Sequence, residues 1–269
     1  MMGNQATVSV QDLRKTFFDD SRGEVRAVDG VTFSCLPGEV FGLLGANGAG
    51  KTTTLRMLST VLKPTGGRAS VMGHDVLTEP EAVRGTLGFY SSSTALYPRL
   101  TGRETLEFFA RINRYPKEEV KNRVEALISR FGIEEYANAR VEKLSSGMKQ
   151  KVSIARTVAH DPPVLIFDEP TVGLDVLNAL EMAKVIRELR DDGKTIIFSS
   201  HIMSEVEKLC DRIAIVHRGL LLASGTLESL RELTGEHYLE DIFVHYVTRS
   251  EGMEGPAGIG AAGEMEATS

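Results

Sequence analysis

The residues best placed for chemistry form a glycine-rich segment, Gly45-Ala46-Asn47-Gly48-Ala49-Gly50-Lys51-Thr52, between an apolar run and a helical pattern. Glycines allow successive backbone N–H groups to curve around phosphate oxygens, and the first turn of a helix adds a partial positive charge. In this pattern the lysine reaches the terminal phosphates and the threonine hydroxyl ligates magnesium. We therefore predict a phosphate-binding loop instead of a glycine-rich turn with a chance lysine. The expected phosphate contacts are Gly45, Asn47, Gly48, Gly50, Lys51, Thr52 and Thr53.

Two carboxylates, Asp168 and Glu169, end a second apolar run at residues 164–167. Ligands of α/β proteins bind at the carboxyl ends of the strands, so Asp168 is placed to hold magnesium through its water shell. A neighbouring carboxylate that is not a primary metal ligand can accept a proton from a water aimed at the γ-phosphate, which is the role we predict for Glu169. A strand-end acidic pair alone is more often a solvated turn. Together with the phosphate-binding loop, this pair predicts hydrolysis.

A third motif, residues 144–150, has the pattern of a helix start, with Ser145 as a favourable N-cap. The free N–H groups at such an end bind anions. When this heptapeptide is considered alone, an ordinary capped helix is the better explanation. Whether residues 144–150 bind an anion must therefore be judged together with the other motifs.

Short apolar blocks separated by helical patterns indicate how these motifs are positioned. Strands covered on both faces have continuous hydrophobic runs. Four such runs occur, at residues 40–44, 164–167, 195–198 and 213–216. Helical stripes alternate with them, such as Met182, Val185, Ile186 and Leu189. The alternation predicts an α/β fold, a P-loop NTPase core with a mainly parallel sheet.

Three additions to this core are predicted. Short strands near residues 7–10 and 31–34, with a polar hairpin tip at 19–23, indicate an antiparallel β edge subdomain. Residues 92–160 interrupt the alternation and predict a helical insertion, and residues 226–248 predict a helical appendage docked on the core.

We accordingly expect one ATPase-type domain over residues 5–248. Beyond it, residues 249–269 are dominated by glycine, alanine and glutamate. Such a composition leaves little to bury, so a disordered tail is expected there.

Composition excludes several classes of protein. The chain has 269 residues, 42% of them hydrophobic and 25% charged, which is typical of a globular protein. Its net charge of −6 provides no global basic field for nucleic-acid binding. Two distant cysteines, Cys35 and Cys210, predict buried thiols in a reducing compartment. The N-terminus lacks the pattern of a secretory signal, and no apolar run approaches the roughly 20 residues of a membrane span, so we expect the chain to stay inside the cell.

The motifs together resemble those of the ATP-binding cassette (ABC) ATPases. The phosphate-binding loop, residues 144–150 and the segments Asp168-Glu169-Pro170-Thr171, Gly173-Leu174-Asp175 and Ser199-Ser200-His201 occur in the order and spacing of that family. The resemblance covers roughly residues 8–247. Within the family, the chain looks like the ATPase subunits of bacterial exporters with separate permeases, and most like the sodium-extruding type. That closeness lies in residues 55–58, 71–75, 198–203 and 239–243.

The resemblance implies ATP and Mg²⁺ as ligands and a head-to-tail homodimer with ATP between the subunits. In that arrangement Ser145 and the Gly147 backbone meet the γ-phosphate in trans, and Asp175 lies near the partner's phosphate-binding loop. His201 contacts the γ-phosphate and orients Glu169 and water. Phe17, with Phe18 as the less favoured choice, stacks on adenine. The implied partners are integral membrane permease subunits and no nucleic acid, which places the chain at the cytoplasmic face of the plasma membrane.

Two departures from the family pattern affect the expected site. Ser92 stands where a glutamine usually senses magnesium and contacts the permease. Because serine is shorter and neutral, it is expected to touch the ion only through water. In the helix-start motif Ser146 replaces a glycine and Met148 a glutamine, but Ser145 and Gly147 remain.

The motifs are also compatible with two other activities. A soluble ABC ATPase acting on ribosomes or chromosomes is one alternative, but such proteins carry two cassettes or long coiled coils. A regulatory module that binds ATP without turnover is another, and Glu169 argues against it. The favoured interpretation is a transport ATPase whose dimer closes on ATP and is reset by hydrolysis at Glu169, with Lys51 holding the phosphates.

Overall fold

The computed structural model describes residues 6–19, 23–92 and 94–253, and these residues form ten strands and nine α-helices. The strands are β1 (Val8–Asp19), β2 (Gly23–Cys35), β3 (Val40–Leu44), β4 (Gly66–Val71), β5 (His74–Asp75), β6 (Leu87–Ser91), β7 (Val164–Asp168), β8 (Thr195–Ser200), β9 (Arg212–His217) and β10 (Leu220–Gly225). The helices are α1 (Lys51–Leu58), α2 (Pro80–Thr86), α3 (Gly102–Ile112), α4 (Val120–Arg130), α5 (Ser146–Thr157), α6 (Val176–Asp191), α7 (Met203–Leu209), α8 (Leu227–Thr234) and α9 (Leu239–Met253).

A six-stranded sheet in the order β10-β9-β3-β8-β7-β6 forms the centre of the molecule. Strands β9, β3, β8, β7 and β6 pair in parallel, and β10 pairs antiparallel with β9. Every residue of β3, β7 and β8 is buried, as expected for strands covered on both faces. The predicted core is confirmed. Because parallel strands end at the same edge, the loops after β3, β7 and β8 meet there.

The second sheet, β2-β1-β4-β5, is antiparallel and confirms the predicted β edge. Its first two strands are longer than the apolar blocks from which they were predicted. Residues 14–19 of β1 are partly or fully exposed, so the hydrophobic pattern stops while backbone pairing continues to Asp19 opposite Gly23. Residues 20–22 of the predicted hairpin tip lie outside the described residues.

Helices α3, α4 and α5 occupy the stretch predicted to be a helical insertion. Thr101 begins α3 with a capping box that includes Glu104. The apolar stripe of α4 is buried in one hydrophobic cluster with residues of α5 and β7. The insertion therefore shares a core with the sheet, and this shared core sets the position of the first residues of α5.

Helices α8 and α9 pack on the core through the predicted apolar stripe. Leu239 and Ile242 are fully buried. Helix α9 continues past residue 248, where the composition predicts a tail, and ends at Met253. Glu251 of this extension contacts the β9–β10 turn, with Oε1 3.4 Å from His217 Nε2 and 3.0 Å from Arg218 Nη2. The rest of the predicted tail, residues 254–269, lies outside the described residues.

Both cysteines are free thiols, Cys35 buried and Cys210 partly buried. Burial raises the pKa of Cys35 well above its usual value, so this thiol is protonated and unreactive at neutral pH. Within residues 6–19, 23–92 and 94–253, no helix combines the length and the apolar character that crossing a membrane requires.

His160, which follows α5, makes the stability of the fold depend on pH. Burial lowers its pKa from 6.5 to about 4, and the charges of Arg123 and Lys194 act in the same direction. Below pH 6.5 the unfolded chain takes up a proton that the folded chain does not. The free energy of unfolding therefore falls as the pH drops from 6.5 towards 4, by about 3 kcal/mol in total. We expect His160→Gln to flatten this part of the profile of urea midpoint against pH, and an unchanged slope would contradict the assignment.

Candidate nucleotide site

The phosphate-binding loop joins β3 to α1 through two glycines with left-handed backbone conformations. Gly48 has φ +81° and Gly50 has φ +106°. A Cβ atom on Gly50 would lie 2.5 Å from the carbonyl oxygen of Ala27, whereas one on Gly48 would meet nothing within 4 Å. Helix α1 begins at Lys51, so its free N–H groups face the loop. The local backbone has the form that the glycine spacing predicts.

Gly50→Ala is expected to weaken ATP binding much more than Gly48→Ala. Both substitutions strain a left-handed backbone, at a cost of roughly 1–2 kcal/mol. Only alanine at position 50 also collides with the Ala27 carbonyl and displaces the start of α1. We expect the dissociation constants from titration calorimetry to differ by about tenfold or more. Equal affinities would show that the close approach to Ala27 does not shape the loop.

Lys51 is buried and folded back onto its own loop. Its Nζ donates to the carbonyl oxygens of Gly45 at 2.6 Å and Ala46 at 3.2 Å. The same atom lies 3.3 Å from Oε1 of Glu169. The ammonium group thus donates two hydrogen bonds within its own loop and forms an ion pair with Glu169. Phosphate oxygens arriving in the loop would compete with these acceptors.

Asp168 ends β7 beside the loop and is buried. Its Oδ1 accepts hydrogen bonds from Thr52 Oγ1 at 3.1 Å and Ser199 Oγ at 2.7 Å. Ser199 lies opposite Asp168 in the parallel pairing of β7 with β8, which accounts for the contact. Carboxylate and hydroxyl oxygens are the donors that Mg²⁺ prefers, so Thr52 and Asp168 fit that ion. Ser199 was not among the predicted site residues. In the sequence it is distinguished only by its position before Ser200 and His201.

Glu169 leaves β7 with a left-handed backbone, φ +50°. Its N–H lies 3.1 Å from Ser199 Oγ and 3.2 Å from the Ser199 carbonyl oxygen, so β8 holds this strained residue in place. Oε1 of Glu169 lies 3.3 Å from both Lys51 Nζ and His201 Nδ1. The structure thus brings together the three residues predicted for catalysis.

A cleft of about 120 Å³ lies at this meeting point, lined by the phosphate-binding loop, Ala27 and Glu169. Pockets that enclose a whole small-molecule ligand usually measure about 300 Å³ or more. The cleft of one chain therefore has room for phosphates but not for an enclosed nucleotide.

Ser145, Gly147 and Asp175 lie at two helix starts and are not among the described residues that line the cleft. Ser145 caps α5, its Oγ accepting from Met148 N–H at 3.3 Å. Asp175 caps α6, and hydrogen bonds from Asn178 lower the pKa of its carboxyl. A Cβ on Gly147 would lie 4.0 Å from Asn178 Nδ2, so the two helix starts are neighbours. Ser145 and Asp175 are both exposed, which leaves them accessible to a second molecule.

Phe17 is exposed near the end of β1. Lys15 Nζ lies 5.0 Å from its ring centroid. The residue pairs with Val25 of β2, the strand that contributes Ala27 to the cleft. Phe17 therefore stands on the same strand pair as one wall of the cleft, with an accessible ring.

Ser92 is exposed in the turn after β6. The preceding residue, Ser91, pairs with Asp168 across β6 and β7. Ser92 itself lines a groove shared with Lys149 and Gln150 of α5, and it is not among the described residues lining the phosphate cleft. The short side chain thus lies on the insertion side of the site.

A loop of this geometry, a buried lysine and two carboxylates at the end of a parallel strand define a P-loop nucleoside triphosphatase. The chain belongs to the ABC transporter family, whose model matches residues 28–172. It is an ATP-binding and ATP-hydrolysing subunit of an ABC transporter. The resemblance inferred from the motifs is confirmed.

Known proteins agree with this assignment. The ABC transporter ATP-binding protein NatA of Bacillus subtilis (strain 168) is 43% identical over 233 residues, which are 86% of this chain and 95% of that protein. A solved ATP-binding subunit of an ABC transporter has a TM-score of 0.82 at 30% identity and covers 90% of this chain and 99% of its own. An ATP-binding cassette solved as a dimer in a post-hydrolysis state with ADP and Pi has a TM-score of 0.75 at 25% identity, with coverages of 81% and 98%.

Proposed function

We propose that two copies of this chain bind ATP in a shared interface, hydrolyse it with Glu169 as general base, and drive export through separate membrane subunits. The main support for this mechanism is the position of the Glu169 carboxylate beside the phosphate cleft. Its Oε1 lies 3.3 Å from both Lys51 Nζ and His201 Nδ1. A carboxylate held there accepts the proton of a water that attacks the γ-phosphate.

Lys51 exchanges partners when ATP binds. Its ammonium group is hydrogen-bonded to two loop carbonyls and ion-paired with Glu169. Phosphate oxygens carry more negative charge than carbonyls and form stronger charge-assisted hydrogen bonds, so they take the ammonium. Glu169 then loses its contact with Lys51 and keeps the one with His201, which leaves its carboxylate free to accept a hydrogen bond from water. The arrival of ATP therefore prepares the base that hydrolyses it.

Thr52 and Asp168 would hold the Mg²⁺ that accompanies ATP, and the ion neutralises phosphate charge when bound. Ser199 supports this role by donating to Oδ1 of Asp168, which fixes the carboxylate in advance. Ser92 would reach the ion only through water, because its side chain is short and lines the groove beside α5.

Each chain supplies part of the site of its partner. The cleft is too small to enclose ATP, and Ser145 and Asp175 are exposed. Val176 and Leu177, which follow Asp175, are large exposed apolar residues, and such patches mark interaction surfaces. In this dimer Ser145 and the Gly147 backbone bind the γ-phosphate from across the interface, and Phe17 stacks on adenine. A similar cassette solved as a dimer with ADP and Pi supports the pairing of two chains.

A groove of about 590 Å³ between α1, β6, α3 and α5 is proposed to receive a segment of the membrane subunit. Leu96, Tyr97 and Phe109 line it, and Tyr97 contacts the exposed ring of Phe108 edge-on at 5.7 Å. Exposed aromatic rings beside a groove are frequent anchors of protein interfaces. This docking would hold the chain at the cytoplasmic face of the plasma membrane.

Tyr97→Ala is expected to weaken binding to the membrane subunit by about tenfold, the loss typical of a moderate interface anchor. Binding is measured by titrating the variant against vesicles that contain the membrane subunit. Tyr238→Ala, which removes an exposed tyrosine from the start of the C-terminal helix, is the matched control and retains affinity. Equal affinities of the two variants would place the contact elsewhere.

ATP-dependent flux in vesicles that hold both proteins tests the function as a whole. Sodium is the cargo we propose first, because the sequence most resembles the sodium-extruding type. Glu169→Gln serves as the inactive control. Flux of another cargo without sodium movement would overturn the cargo and keep the transporter, and flux that persists in Glu169→Gln would overturn the mechanism.

A further inference from the structure

One carboxylate oxygen beside the nucleotide site joins the two loops that carry Glu169 and His201. Oε2 of Glu205 accepts a hydrogen bond from Thr171 Oγ1 at 2.8 Å and another from Ser200 Oγ at 2.9 Å. Thr171 closely follows Glu169, and Ser200 immediately precedes His201. Glu205 therefore connects the segment after β7 to the end of β8.

Both donor hydroxyls are buried, with Thr171 6% and Ser200 1% exposed. Ser200 Oγ also accepts from the N–H of Ile202 at 3.0 Å, so the backbone is held on both sides of His201. Hydrogen bonds to an ionised carboxylate are stronger than those between neutral groups. Loss of the carboxylate would leave buried hydroxyls without an acceptor and free both loops to shift.

Helix α7 is also held by apolar packing, so its position does not depend on the two hydrogen bonds to Glu205. Val206 and Leu209 are buried in the main hydrophobic cluster. Glu205 lies in the first turn of the helix and directs its Oε2 to the two loops. Its effect is therefore expected on the spacing of the loops more than on the packing of α7.

We propose that Glu205 is a positioning residue that holds Glu169 and His201 at the separation needed for hydrolysis, 3.3 Å between Oε1 and Nδ1. It acts through Thr171 and Ser200, since its Oε2 is occupied by their hydroxyls. The inference rests on the proposed roles of Glu169 and His201.

Steady-state ATP hydrolysis by variants of the full chain tests the proposal. Glu205→Ala removes both hydrogen bonds and is expected to lower kcat by roughly 10-fold to 100-fold, the effect of misplacing a catalytic group by about 1 Å, with KM for ATP within about twofold of wild type. Glu205→Gln keeps an acceptor oxygen and is expected to recover most of the rate.

Glu207→Ala is the matched control. It removes a carboxylate from the same helix, but one that accepts from the N–H of Leu239 in the C-terminal helices. We expect wild-type kcat from this variant. A loss equal to that of Glu205→Ala would show that any carboxylate on α7 matters and would overturn the specific role of Glu205.

Thr171→Val removes the hydrogen bond from Thr171 Oγ1 to Glu205 and keeps the shape of the side chain. It therefore provides a test if Glu205→Ala folds poorly. It is expected to lower kcat in the same way. The double variant should lose no more than the more impaired single variant, because both substitutions break one unit. Wild-type kcat in either single variant, or losses that multiply in the double variant, would overturn the proposal.

Comparing Glu169→Gln with Glu205→Ala distinguishes an error in the proposed catalytic base from an error in the role of Glu205. If Glu169→Gln hydrolyses ATP at the wild-type rate, the assignment of the base is wrong. If Glu169→Gln is inactive while Glu205→Ala is unimpaired, the mechanism stands and only the role of Glu205 is lost.

Discussion

Glu169→Gln is expected to bind ATP with near wild-type affinity and to hydrolyse it at least about 100-fold more slowly. The amide has the size of the carboxylate and retains an acceptor oxygen, so Lys51 and His201 keep a partner at the distances now occupied by Oε1. An amide does not take a proton from water at neutral pH. The loss of rate therefore reports chemistry and not a change of fold.

The same variant is expected to accumulate as an ATP-bound dimer. If hydrolysis opens the shared interface, then a chain that binds ATP without cleaving it leaves the interface closed. Light scattering with ATP and magnesium should show twice the mass of the chain, whereas wild type should return to the monomer as ATP is consumed.

Glu232→Gln is the matched control, since it makes the same chemical change at an exposed position of α8. We expect the wild-type rate and no lasting dimer. A Glu169→Gln protein that stays monomeric with ATP and magnesium would contradict the shared interface, and a wild-type rate would contradict the base.

Lys51→Ala is expected to weaken ATP binding by roughly 30-fold to 1,000-fold, which corresponds to about 2–4 kcal/mol. The side chain is buried and carries the one ammonium group bound to the loop carbonyls of Gly45 and Ala46 in the described part of the chain. Its removal takes away the cation that faces the terminal phosphates and leaves Glu169 closer to bare phosphate charge. Both changes oppose binding, so the effect exceeds that of a single neutral hydrogen bond.

Titration calorimetry with ATP and magnesium measures this loss. Lys208→Ala, at an exposed position of α7, removes the same charge away from the cleft and should retain affinity. Lys51→Met keeps the apolar stem and distinguishes lost charge from lost packing, so it should bind as weakly as Lys51→Ala. Wild-type affinity in both Lys51 variants would refute the assignment of the phosphate-binding loop.

Contiguous features of the site were predictable because their geometry is local. The spacing of Gly48 and Gly50, a strand before them and a helix after them specify the backbone of the loop over a few residues. Asp168 and Glu169 follow directly from the end of a buried apolar strand. The limits of β1 and of α9 were predicted less well, because backbone hydrogen bonding continues where the apolar pattern has ended: β1 pairs with β2 as far as Asp19, and α9 continues to Met253.

By itself, the order of residues determined the kind of protein: a parallel α/β core, a glycine-rich loop between a strand and a helix, two carboxylates at the end of a buried strand, and the family to which these belong. Only the tertiary structure decided how the base is held, through Ser199 beneath Glu169 and through Glu205 between Thr171 and Ser200. The reason is physical. A helix start or a tight turn is set by neighbours along the chain, whereas the Glu169–Ser199 and Thr171–Glu205 hydrogen bonds join residues 30 and 34 positions apart. These residues meet because β7 and β8 pair in a particular register.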